Sequence, residues 1–463
     1  MIDRDFFRAE PKLVPPLDEG FRPAALRMRA FEQALPAAAE PLVIGVERAP
    51  GVVSRFAAHI FPEGHAQAPA NCAYAERLVK FLLWQRGGYR LFIGGPRAIG
   101  DPIRAAYSAQ GARAFDAAFM GRQVYERPFS VAQCRPEDIP DLPESGAPLG
   151  RHLTGCRIGF DLGASDRKVS AVVDGQVVYS EEVIWEPRRQ SDPAYHYSEI
   201  LSALKTAASK MERLDAIGGS SAGVFIDNRP MVASLFRGIP PERYPEVRDL
   251  FARLQRELGV PLVVINDGDV AALAGSMALQ ENGVLGIALG SSQAAGYVDL
   301  EGHILGWINE LAFAPIDDNP GAALDEWSGD IGCGSQYFSQ QAVFRLAPRA
   351  GIALPSGVTD AEKLKFIQEK LEAGHSGAEA IWQSMGIYLG YGLALYDRFY
   401  DLRHALILGR CTSGRGGALL LEGAHAVLQA EFPELAARIH LQIPDERTRR
   451  VGQAIAAASL PLL

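Results

Sequence analysis

Asp161 and Asp267 are the two carboxylates whose surroundings best suit chemistry. Asp161 closes an apolar run in Ile158-Gly159-Phe160-Asp161-Leu162-Gly163-Ala164-Ser165, so a strand would deliver it to a loop of small residues. A carboxylate there can hold magnesium, usually through water, while backbone amides and a hydroxyl approach a phosphate. The same segment also fits an ordinary hairpin that opens Asp-x-Gly. Asp267 lies in Val263-Val264-Ile265-Asn266-Asp267-Gly268-Asp269, where a strand of β-branched residues runs into a helix. At such a junction a carboxylate faces a cleft and can take a proton from an attacking hydroxyl, and the helix amino terminus favours its ionised form. The competing reading is that Asp267 or Asp269 simply caps the helix. A third element, Leu289-Gly290-Ser291-Ser292-Gln293-Ala294-Ala295-Gly296, offers small and hydroxyl residues in a turn. It can donate to a β- or γ-phosphate, or be a plain hairpin.

Elements must carry these residues to one place. Apolar spacing predicts strands over 156–161, 169–173 and 176–181, the last two joined by Asp174-Gly175, which supplies the positive φ of a two-residue turn. Helix 197–210, strand 214–219, helix 244–258 and strand 260–265 follow, and then the helix that starts near Gly268. Strands 284–289 and 294–298 form a second glycine-flanked hairpin. The last third reads as helices 360–372, 376–399 and 417–431 around the strand 405–408. Such alternation indicates α/β lobes around a cleft.

Upstream, strands 42–46 and 52–60, helix 73–85, strand 89–93, helix 101–109 and a strand over 112–119 make a β-β-α-β-α-β unit. Its segment 89–96 echoes the strand-glycine-helix plan of 405–420, as a degenerate extra lobe would. Residues 135–150, rich in Pro, Asp, Glu and Gly, read as a linker and mark the main boundary. The expected organisation is an amino-terminal α/β extension (1–150), a first lobe (151–275) and a second lobe (276–463).

Composition narrows the class. The chain has 463 residues, 48% hydrophobic and 22% charged, which suits a globular protein of several domains. A net charge of -9 argues against nucleic acid or an anionic membrane as the main partner. Five scattered cysteines without C-x-x-C spacing read as free thiols in a reducing compartment, and the charged start, Met1-Ile2-Asp3-Arg4-Asp5, lacks a signal peptide's apolar stretch. A cytoplasmic protein is the expectation.

Taken in order, hairpin, strand-to-helix carboxylate and second hairpin resemble the ROK family of sugar kinases and repressors. Its phosphate loop reads Asp-x-Gly-Gly-Thr and its catalytic segment Asn-Asp-Ala-Asn-Ala-Ala, to which Asn266-Asp267-Gly268-Asp269-Val270-Ala271-Ala272 is similar. Gly306-Trp307-Ile308-Asn309-Glu310 resembles the approach to the family's Gly-Glu-x-Gly-His, and Arg450-Val451-Gly452-Gln453-Ala454-Ile455-Ala456 its closing glycine-alanine helix. The resemblance spans about residues 155–460. It implies two ribonuclease H-like, actin-like ATPase lobes and in-line transfer of phosphate from ATP to a sugar or polyol hydroxyl. Asp267 would be the base and Asp161 the Mg²⁺ holder. Gly163, Ser165, Gly290 and Ser291 would meet the phosphates, and Gly409 and Gly414 the adenosine. Asn266, Glu310 and Gly223 would contact the acceptor. A homo-oligomer is also implied.

The pattern breaks in places. Phe313 stands where the family's zinc-binding histidine falls, and Cys333 alone represents its cysteine triplet, so no zinc is expected. Ser292, Ala294 and Ala295 replace glycines of the second loop, and Asp166 stands where a lysine is common. The asparagine expected near Ser234 is absent. These departures keep a second function open, a catalytically silent sugar- or nucleotide-sensing regulator. No compact basic helix pair precedes residue 150, which argues against DNA binding.

Overall fold

The structure is a computed structural model that describes residues 7–140, 149–444 and 446–463, with 446–451 described by backbone alone. Half of the expected linker, 141–148, and the side chains of Arg450 and Val451 therefore lie outside the described residues.

Three β-sheets and a two-stranded hairpin organise the chain. The first sheet holds β1 (Glu40–Ala49), β2 (Val52–Ile60), β3 (Arg90–Gly94) and β4 (Ser130–Cys134), in the order β2-β1-β3-β4. The next holds β5 (Cys156–Leu162), β6 (Asp166–Val173), β7 (Gln176–Ile184), β8 (Ala216–Ser221) and, beyond the β9 (Val224–Ile226) and β10 (Arg229–Val232) hairpin, β11 (Leu262–Asn266). Its order is β11-β8-β5-β6-β7, with β5, β6 and β7 antiparallel and β8 and β11 parallel to β5. The last sheet, β13-β12-β14-β15, joins the antiparallel pair β12 (Val284–Leu289) and β13 (Gln293–Val298) to parallel β14 (His404–Leu408) and β15 (His440–Gln442). Hairpin strands followed by parallel strands thus occur twice in a mixed α/β fold.

Local sequence accounts for the turns that matter. Asp174 and Gly175 both have positive φ (46° and 79°), the two-residue hairpin geometry that Asp-Gly favours. The helix Asp267–Leu279 starts directly off β11, and Asn266, rather than Asp267 or Asp269, is its cap, its Oδ1 accepting from the Gly268 amide at 2.7 Å. Backbones come close here: a Cβ on Gly296 would stand 2.1 Å from the Gly268 carbonyl carbon. The terminal helix Glu446–Ala458 lies against β5 and β8 in the same way, since a Cβ on Gly218 would fall 1.7 Å from the Ala457 carbonyl oxygen.

One reading of the amino-terminal part needs correction. Residues 112–119 are not a strand; Ala114–Ala118 is helical and continues into a wide π-type turn, Phe119–Val124. The last strand of the unit is β4, which pairs with β3 in parallel. The strand-glycine-helix order of 89–96 and the helix after it does match that of 405–420, but the sheets differ, because β3 runs antiparallel to β1 whereas β14 runs parallel to β12. A helix at Ala24–Gln33, not foreseen, follows the early prolines. The expected single helix over 244–258 is two, Tyr244–Arg248 and Leu250–Leu258.

The amino-terminal sheet shares its core with the carboxy-terminal part. One apolar cluster runs from Phe21, Phe31 and Trp84 through Ile287, Tyr337 and Tyr388 to Leu428. The β5–β11 sheet has a core of its own around Phe160, Leu204 and Phe251. Among the described residues no helix is long and apolar enough to cross a membrane.

Candidate active site

Asp161 and Asp267 come together. With Gly268, Ala294, Gly409 and Gln453 they line a cavity of about 150 Å³ where β5, the start of the Asp267–Leu279 helix, β13 and the end of β14 converge. Ligand pockets for drug-sized molecules run about 300–1,000 Å³, so this space suits a phosphate and its ion rather than a whole nucleotide. Asp161 is held by Ser220, whose hydroxyl donates to Oδ1 at 2.8 Å, and its other oxygen lies 3.9 Å from Lys168 Nζ. No sequence signal marks Ser220; β8 pairs with β5 so that Asp161 and Ser220 are directly opposite.

Burial raises the Asp267 carboxyl to about 6, and the Asp161 charge adds to it. Glu310 is pushed up to about 7 by burial and then by the charges of Asp267 and Asp269, so it shares their surroundings. Asp269, 4% exposed, also rises to about 7 by burial, while bonds from the Tyr297 amide and Asn309 Nδ2 hold it down. Proton linkage then has a definite sign. A carboxyl with a raised folded pKa favours the folded state below its unfolded pKa, and that favour is lost as pH rises through about 7. Asp269→Asn is therefore expected to gain about 2–3 kcal/mol relative to the parent between pH 5 and pH 8, read from urea unfolding at both values.

Other candidate residues take varied places. Asn266 and Gly223 meet each other, the asparagine Nδ2 donating to the Gly223 carbonyl at 2.8 Å. Gly223 has φ 126°, which favours glycine. The Gly163 amide donates to the Asp166 carbonyl within its hairpin, and Ser165, exposed, donates to Asp166 Oδ2 at 3.2 Å. Gly290 donates to the Ser292 carbonyl, leaving Ser291 exposed at the turn. Gly414 lies apart from the cavity lining, under Glu372, whose Oε1 accepts from the Arg415 amide at 2.8 Å.

The off-pattern residues also have partners. Phe313 stacks on Trp84 with ring centroids 4.1 Å apart. Cys333 is buried, and that burial pushes its thiol up to about 11. Among the described residues no group of three or more His, Cys, Asp or Glu is placed to hold a metal. Asp161 suits a magnesium ion held by one carboxylate and by the phosphates it accompanies.

No protein-family model and no curated protein matches this chain by sequence. Solved structures do match by shape. The ROK hexokinase from Thermus thermophilus aligns over 65% of this chain and 97% of its own, at 20% identity and a TM-score of 0.52. A ROK-family transcriptional regulator, a homologue of the E. coli MLC protein, aligns over 66% of this chain and 79% of its own, at 19% identity and a TM-score of 0.52. Over about two thirds of its length, then, this chain has the fold of the ROK proteins.

Proposed function

We propose that this chain is an ATP-dependent kinase for a hydroxyl of a sugar or sugar-like polyol. The observation that carries the reading is the convergence of Asp267 and Asp161 on one cavity beside Gly409. Asp267 accepts the proton of the acceptor hydroxyl as its oxygen attacks the terminal phosphorus and the bond to ADP breaks. A carboxyl held near 6 is a fitting base: largely ionised at neutral pH and still basic enough to take a proton. Magnesium, when bound, neutralises phosphate charge, and Asp161 is the residue that would hold it. Glu310, with Asn266 and Gly223 behind Asp267, belongs to the acceptor side; Gly163, Ser165, Gly290 and Ser291 face the phosphates, and Gly409 and Gly414 the adenosine. Residues 151–275 and 276–463 serve as the two lobes, and 1–150 as an extension docked on the second.

A silent sensor on the same fold is the second reading, favoured by Ala294 in the cavity wall and by the Glu372 carboxylate over the Gly414 end of its helix. Coupled ADP release over hexoses, amino sugars and inositols separates the two. Turnover with one acceptor class, absent in Asp267→Asn, is expected. Ligands that raise the melting temperature with no turnover would make the chain a sensor. For the active acceptor, kcat should rise with pH along an acid limb near 6, because the base works only when ionised; a rate flat from pH 5 to 8 would remove Asp267 from that role.

A further inference from the structure

Asn309 occupies an unusual position. It is 4% exposed and has φ +48°, a left-handed conformation that asparagine tolerates better than most residues. Its amide donates to the Gln85 carbonyl at 2.9 Å, and the next amide, that of Glu310, donates to the Trp84 carbonyl at 2.9 Å. Its side chain bridges two further elements. Nδ2 donates to Asp269 Oδ1 at 3.0 Å, on the first turn of the helix that bears Asp267, and Oδ1 accepts from the Tyr400 hydroxyl at 2.9 Å. Its carbonyl accepts from the Leu311 amide at 2.8 Å. Gln85 in turn donates to the Phe399 carbonyl at 2.8 Å, beside Tyr400. Every polar group of Asn309 is engaged, and the engagements join three distant stretches of chain: 84–85, 269 and 400.

We infer that Asn309 is a positioning residue that fixes Glu310 relative to the Asp267 turn, and that the amino-terminal helix Asn71–Arg86 is the anchor against which it does so. This rests on the kinase reading for what the geometry serves, with Glu310 on the acceptor side. The Asp267 turn keeps other supports, the Asn266 cap and the Tyr297 bond to Asp269, whereas Glu310 depends on the Asn309 segment. Loss of the side-chain bridge therefore loosens acceptor binding more than it harms the chemical step.

The test uses the full chain with Asn309→Gly, which accepts the positive φ and removes the bridge. Acceptor KM should rise about tenfold, the scale of one buried hydrogen bond, with kcat within about threefold of the parent. Amide exchange of a peptide covering residues 308–313 should speed up about tenfold, while the distant helix Arg415–Glu431 stays unchanged. The exchanged pair Asn309→Asp with Asp269→Asn keeps one donor facing one acceptor and should restore both readouts. Unchanged KM and unchanged exchange in Asn309→Gly overturn the inference, as does failure of the exchanged pair to restore either in a folded protein. If the parent turns over no acceptor, the kinase reading fails instead, and the exchange rates alone decide whether Asn309 anchors the segment.

Discussion

Asp267→Asn lowers kcat toward the active acceptor by about 10²–10⁴-fold, the usual worth of a general base, and leaves the protein at least as stable as the parent. The two halves have one cause. Asparagine has nearly the shape of aspartate but takes no proton, so the hydroxyl loses its acceptor while the cavity keeps its walls. At pH 8 the parent holds an ionised Asp267 in a buried setting, beside the charge of Asp161 and facing that of Glu310. Removing the carboxylate that repels both Asp161 and Glu310 relieves each of them. A melting temperature equal to or above that of the parent, with the rate loss, is the signature of a functional carboxylate. A variant that melts lower would mark Asp267 as structural, and one that retains more than about a tenth of the parent rate would leave the proton transfer to another group.

Much of this site could be read from residues close together in the chain. The Asp174-Gly175 turn, the strand that ends at Asp161 and the junction at Asp267 each depend on local rules, and each stands where those rules put it. Asn266, Asp267 and Asp269 are all good capping types, and only the direction of the chain out of β11 selects Asn266. Residues 112–119 carry Phe115 and Phe119 at a spacing that suits a strand, yet Arg113, just ahead of the helix Ala114–Ala118, and Asp116 within it are both buried against charges elsewhere in the chain. The true strand, β4, has no buried residue and so leaves no apolar alternation to detect. Ser220 and Asn309 were invisible for a different reason: their partners lie 59 and 40 residues away, and nothing local marks a serine or an asparagine as a support for a carboxylate.

Long-range pairing is most evident in the helix Asn71–Arg86, which carries charged residues among its apolar ones yet is buried along nearly all of its length. Its charges are not solvated. Glu76, Arg77 and Lys80 meet Arg113 and Asp116 from the amino-terminal part and Asp330 from the segment that follows Glu310, all at most 4% exposed. Asp330 Oδ2 lies 2.8 Å from Arg113, 3.3 Å from Lys80 and 3.5 Å from Arg77, so one carboxylate offsets parts of three cations. This is how the amino-terminal region grips the segment that follows Glu310. Asp330→Ala should therefore cost about 3–5 kcal/mol, the range for removing one partner of a buried ion pair, because the carboxylate shared by Lys80, Arg77 and Arg113 would be gone. Urea unfolding should show a lower midpoint with an unchanged slope. Asp138→Ala breaks a comparable but exposed contact, with Arg135, and should leave the midpoint where it was. Equal behaviour of the two variants would mean that the buried charges adjust without Asp330. A large loss confined to Asp330→Ala would show that two stretches of this chain, 253 residues apart between Arg77 and Asp330, are held together by charge.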